Sequence, residues 1–126
     1  MKIAVMEDEC FIADDFAVEI RRSGHEPVGA FAELGAAIQA ASSAAIDAAL
    51  LDIDLRGEAS LGIADLLLKR SIPFLIYTGY SREVIPSRFA FRVVEKPIRI
   101  REVVDRLCRD ALAHGSPQTP VAPMPP

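Results

Sequence analysis

Acidic side chains gather at two places far apart in the chain: Glu7, Asp8 and Glu9 in succession, and Asp52 with Asp54 two residues further on. A hydroxyl, Thr78, and an ammonium, Lys96, each stand just past an apolar run. Two unit negative charges ~4–5 Å apart repel by a few kcal/mol at an effective dielectric of about 20, so three carboxylates in one crevice make sense only around a cation. Oxygen ligands without His or Cys select a hard ion, and an incomplete cage that keeps several waters suits Mg²⁺. In such a site Asp52 is the candidate nucleophile, because a carboxylate can form an acyl phosphate. Lys96 and the cation would neutralise the transferring group, and Thr78 would donate to one of its oxygens.

Acids also favour helix N-termini, where the helix dipole welcomes them, so Asp8 or Glu9 could simply cap the helix that follows. That does not account for Asp52, which closes the apolar run Ala48-Ala49-Leu50-Leu51.

Short apolar runs alternate with helix-period segments and supply the elements such a site needs. Strands are expected over residues 3–6, 28–31, 48–53, 74–77 and 89–94; the continuous apolar character of the third and fourth suits a sheet covered on both faces. Ile12, Phe16, Ala17 and Ile20 stripe a first helix stopped by Ser23-Gly24, and Leu34, Ala37, Ile38 and Ala41 a second. Residues 58–70 form a third, with Ile63, Leu66 and Leu67 inward. Ile100, Val103, Val104, Leu107, Ala111 and Leu112 mark the last. Strand–helix repetition implies parallel strands and right-handed crossovers, hence a flavodoxin-like (βα)5 doubly wound α/β fold with sheet order 2-1-3-4-5. Its ligand crevice lies beyond the carboxyl ends of strands one and three, where Glu7, Asp8 and Asp52 fall. Acids replace the GxGxxG that dinucleotide binding would want there. Pro86 leaves room for at most one turn, near residues 82–84, so the fourth helix is short or missing.

At 126 residues the chain has room for one domain, residues 1–114. Residues 115–126 hold five prolines and read as an extended or disordered tail. The net charge of −4, and the acids Glu102, Asp105 and Asp110 interleaved with Arg99, Arg101, Arg106 and Arg109, argue against nucleic acid as a partner. No apolar run spans a bilayer and no basic, apolar leader opens the chain, which predicts a soluble, cytoplasmic protein with no membrane partner. Cys10 and Cys108 fit no CxxC pattern and are expected to be packing residues.

The motif set resembles that of response-regulator (CheY-like) receiver domains over residues 1–114. Glu7-Asp8 match the acidic pair and Leu51-Asp52-Ile53-Asp54-Leu55 the phosphoacceptor segment. Thr78-Gly79 match the switch hydroxyl, and Lys96-Pro97 the lysine with its proline. The resemblance implies direct Mg²⁺ ligation by Asp8, Asp52 and the backbone carbonyl of Asp54, with Glu7 acting through water, and a cis peptide between Lys96 and Pro97. It implies a two-component phosphoprotein, phosphorylated by a histidine kinase, that promotes its own phosphorylation and dephosphorylation and is no enzyme toward a separate substrate. Two departures stand out. The switch position three residues before the lysine is Val93 rather than an aromatic. The segment Pro73-Phe74-Leu75-Ile76-Tyr77-Thr78-Gly79-Tyr80 resembles the FATGUY subgroup of single-domain regulators from alphaproteobacteria, with Ile76 and Tyr77 in place of its Phe-Ala. Tyr80 either replaces the missing switch aromatic or covers the edge left by the short fourth helix.

With no output domain expected, the chain reads as a stand-alone receiver, monomer or weak dimer. It would signal by protein contacts or by phosphorelay to a downstream phosphotransfer or effector protein. A phosphorylation-independent adaptor would be favoured by loss of the Asp or Lys, and both are present. A haloacid-dehalogenase-type enzyme would also use Asp52-Ile53-Asp54, but the chain is too short for that fold's usual cap.

Overall fold

The computed structural model describes residues 1–43, 45–79, 85–96 and 98–114. In chain order the elements are β1 (Lys2–Met6), α1 (Cys10–Arg22), β2 (Glu26–Val28), α2 (Leu34–Ser43), β3 (Ala48–Leu51), β4 (Asp54–Leu55), β5 (Glu58–Ala59), α3 (Leu61–Lys69), β6 (Phe74–Thr78), a 3-10 helix (Ser87–Arg92), β7 (Val93–Glu95) and α4 (Ile100–His114). Five strands form one parallel sheet in the order β2-β1-β3-β6-β7, which is the expected 2-1-3-4-5 doubly wound arrangement.

The sheet is covered on both faces, as its continuous apolar strands require. Ala4, Met6, Ala49, Leu51, Phe74, Ile76 and Val93 meet α2, α3 and the 3-10 helix on one side. Ile3, Val5, Ala48, Leu50, Leu75, Tyr77 and Val94 meet α1 and α4 on the other. Alternate residues of each strand serve opposite cores because strand side chains have period two. The register Met6↔Leu51 and Leu51↔Ile76 brings the carboxyl ends of β1 and β3 level, with β6 running two residues further to Thr78.

Several local expectations are corrected. The second strand ends at Val28 rather than starting there, because Gly29 takes φ +92°; pairing resumes beyond it, with Phe31 N–H donating to the Val5 carbonyl at 2.8 Å and Glu7 N–H donating to the Phe31 carbonyl at 3.1 Å. The third strand stops at Leu51, and residues 54–59 fold into an antiparallel hairpin in place of the start of helix 58–70. Its two-residue turn, Arg56-Gly57, has φ of +51° and +82°, the doubly positive pairing that matches strand twist. Residues 89–92 belong to a 3-10 helix, so the last strand starts at Val93; Phe89 is buried there as a core plug rather than a strand residue. Among the described residues no α-helix lies between β6 and β7, and the expected turn at 82–84 is outside them. Ile38 and Leu112 are exposed and leave their stripes, and Leu66 is only partly buried. Cys108 packs in the core as expected, whereas Cys10 is exposed. No helix among the described residues is long and apolar enough to cross a membrane.

Candidate phosphoryl and metal site

Each side chain of the site sits where a buried strand surrenders its hydrogen-bond ladder. β1 ends at Met6, whose carbonyl accepts from the Asp52 backbone N–H at 2.9 Å, so the acids after β1 and the acid after β3 are bound side by side. Glu7, Asp8 and Asp52 each place a carboxylate oxygen within 4.8 Å of the others. Glu7 is 2% exposed, and Asp52 leaves 11% of its side chain to solvent. The expectation that Asp8 or Glu9 caps α1 resolves to Glu9, which occupies the N-cap position without a side-chain cap bond; Asp8 stays in the cluster.

The electrostatics follow from this crowding. Burial, reinforced by a hydrogen bond to Asp52 and by its charge, pushes Glu7 up to about 8. Burial also raises Asp52, against hydrogen bonds from Glu7 and from the Asp54 backbone and against the charge of Lys96. A proton on Glu7 thus bridges to Asp52 and relieves part of the repulsion. Lys96 Nζ lies 3.9 Å from Asp52 Oδ2 and supplies the positive charge of the site. The Lys96 backbone N–H donates to the Thr78 carbonyl at 2.7 Å, tying the ends of β6 and β7, and Thr78 is fully buried.

Asp54 donates its backbone N–H to Asp52 Oδ1 at 3.1 Å, and its own Oδ1 is buried without a hydrogen-bond partner among the described residues. Three converging carboxylates with no His or Cys in the group, among the described residues, fit a hard divalent cation; the Asp54 side chain stands outside that group.

Three contributors carry no sequence signal of their own. Ser60, at the N-cap of α3, turns its hydroxyl to the Asp52 carbonyl instead of capping its helix. Arg56 donates its backbone N–H to Asp8 Oδ2 at 2.9 Å while its guanidinium pairs with Glu33 at 2.8 Å. Tyr77 lies next to Thr78, buried, with Lys96 over its ring. Val93, at the position where an aromatic is usual, is fully buried in the core. Tyr80 and Pro97, and with them the switch role and the cis peptide, lie outside the described residues, as do residues 115–126.

No protein-family model matches the chain, and no curated protein does. Solved structures do. SdrG from Sphingomonas melonis Fr1 is 33% identical over 89% of this chain and 96% of its own, with a TM-score of 0.76. The receiver domain of the PhyR response regulator from Erythrobacter litoralis matches at 23% identity over 89% of both chains, with a TM-score of 0.74. A CheY-like receiver domain protein from Methanospirillum hungatei JF-1 shares 19% identity over 90% of this chain and 98% of its own, again with a TM-score of 0.74. A chain that carries this fold and is a third identical to SdrG over nearly its whole length belongs to the response-regulator receiver domains.

Proposed function

We propose that the chain is a stand-alone receiver that takes a phosphoryl group from a histidine kinase onto Asp52 with Mg²⁺ and passes the signal on by protein contacts or phosphorelay. The observation that carries this reading is Lys96 Nζ at 3.9 Å from Asp52 Oδ2, beside carboxylates within 4.8 Å of one another. Asp8, Asp52 and the Asp54 backbone carbonyl would hold Mg²⁺, with Glu7 acting through water. Bound there, the ion neutralises negative charge on the phosphoryl oxygens.

The chain's own part is positioning. An Asp52 oxygen attacks phosphorus, a P–O bond forms as the P–N bond to the kinase imidazole breaks, and the imidazole leaves with its electron pair and takes up a proton. Lys96 meets the charge that develops on the transferred group, and Thr78 donates its hydroxyl to it. Water attack at the phosphorus of the same acyl phosphate forms a new P–O bond, breaks the P–O bond to Asp52, and releases inorganic phosphate with the carboxylate restored. Residues 1–114 would be the working domain and residues 115–126 an appended tail. The sheet that presents these groups is shared with SdrG, which has also been solved in a BeF3-activated conformation at 34% identity to this chain.

Incubation with acetyl phosphate and Mg²⁺ should label the chain, and Asp52→Asn should abolish the label. Equal labelling of both would overturn the assignment, and undiminished labelling in excess chelator would remove the metal from it.

A further inference from the structure

Tyr77 stands in the apolar run Phe74-Leu75-Ile76 of β6 as it reaches the Thr78 of the site. It is 6% exposed, and its ring meets Phe16 of α1 edge-on, with centroids 5.3 Å apart and planes at 83°. Core packing alone needs no hydroxyl there, and a buried phenol must find a partner. It donates to the Ile98 carbonyl at 3.2 Å, two residues beyond Lys96. The face of the same ring lies 5.1 Å from Lys96 Nζ. The Lys96 backbone N–H is meanwhile bound to Thr78, the neighbour of Tyr77.

Lysine is a compact charge on a flexible four-carbon stem, so its reach alone does not place it. A ring face 5.1 Å and a carboxylate oxygen 3.9 Å from the ammonium restrict its range, and ring and ion attract through the ring quadrupole. We infer that Tyr77 is a positioning residue: its ring holds the Lys96 ammonium toward Asp52, and its hydroxyl anchors the chain just after Lys96 at Ile98. This rests on Asp52 being the phosphoacceptor for its kinetic consequence, but not for the placement of Lys96.

Two readouts separate those claims. By NMR on the full chain, the Lys96 side-chain methylene protons should be shifted upfield by the ring relative to Lys2 and Lys69. Tyr77→Phe should keep that shift and Tyr77→Leu should abolish it. Lys96 resonances indistinguishable from those of the other lysines in the unaltered chain would overturn the inference, whether or not the chain is phosphorylated. In acetyl phosphate labelling, Tyr77→Leu should slow the rate by about tenfold and Tyr77→Phe by less, with Mg²⁺ affinity unchanged, because the contacts of Tyr77 run to Phe16, Ile98 and Lys96. In a Lys96→Ala background neither substitution should slow labelling further. A Tyr77→Leu effect that persists in that background, or a parallel loss of Mg²⁺ affinity, would show a merely structural role and sink the proposal. Tyr77→Phe, which preserves the core volume, keeps the test valid if Tyr77→Leu folds poorly.

Discussion

Glu7 is the residue whose chemistry is most altered by its surroundings. An unfolded chain gives up that proton near the ordinary value of 4.5, whereas the folded chain keeps it to about 8. Between those values the folded state binds more protons than the unfolded one, so stability falls as pH rises across the window and levels off above it. Chemical denaturation in chelator from pH 5 to 8.5 should show that decline. Glu7→Gln, which keeps the hydrogen-bonding shape and never ionises, should flatten it. Saturating Mg²⁺ should restore stability at the alkaline end, since a ligand bound to the folded state alone stabilises by mass action. A flat profile in chelator would deny the repulsion inferred from the carboxylate cluster. The convergence of the acids, Thr78 and Lys96 was legible because side chains at the carboxyl ends of neighbouring parallel strands meet at one crevice once the sheet forms. Ser60 and Tyr77 were not legible. Their partners are the Asp52 and Ile98 carbonyls, which leave no mark on residue type.

At the scale of elements, the β4–β5 hairpin decides how the site is roofed. Its turn places Arg56 and Gly57 both at positive φ and aims the Arg56 N–H at Asp8. A Cβ on Gly57 would meet nothing within 4 Å, so Gly57→Ala should cost only the left-handed backbone penalty, about 1 kcal/mol, together with weaker Mg²⁺ binding as Asp8 loosens. At Gly29 the same change adds a collision, since the new Cβ would lie 2.7 Å from the Phe31 ring. Gly29→Ala should therefore lower Tm more than Gly57→Ala, and the reverse order in calorimetry would contradict the packing described. The hairpin escaped the sequence because Arg56 gives no hint of a left-handed backbone, and Glu58 and Ala59 are good helix formers. The run Phe89-Ala90-Phe91 misled for a related reason: apolar character marks burial, and only period separates a strand from a tight helix.

At the scale of the whole molecule, the number, direction and order of the strands in the doubly wound sheet were legible, though several strand bounds were not, since alternating strands and helices admit few arrangements. What the pattern did not reveal is how the fold closes the space beside β6 and β7 without a full α-helix among the described residues. Phe89 does much of that work. It is fully buried, meets Phe74 at 6.2 Å between ring centroids, and carries the Arg88 guanidinium 4.5 Å above its ring. Arg88 is fixed in turn by a two-point pair with Asp65 of α3, at 3.0 and 3.1 Å. Phe89→Ala should cost about 3–5 kcal/mol, a Tm lower by more than about 10 °C, because α3 and the sheet cannot collapse freely onto the void. Asp65→Ala removes only an exposed pair and should cost under about 1 kcal/mol.

The four side chains that define the candidate site stand at the carboxyl ends of four different strands, at positions 8, 52, 78 and 96, and the last of them is close in sequence to α4. A growing polypeptide therefore carries Asp52 well before Lys96 has been synthesised. Parallel strands cannot pair until their crossovers are in place, so this cluster of side chains is among the last things such a chain completes. On the reading proposed above, a fragment released early from the ribosome would hold the nucleophile yet remain chemically silent, and only a finished molecule could compete for the kinase.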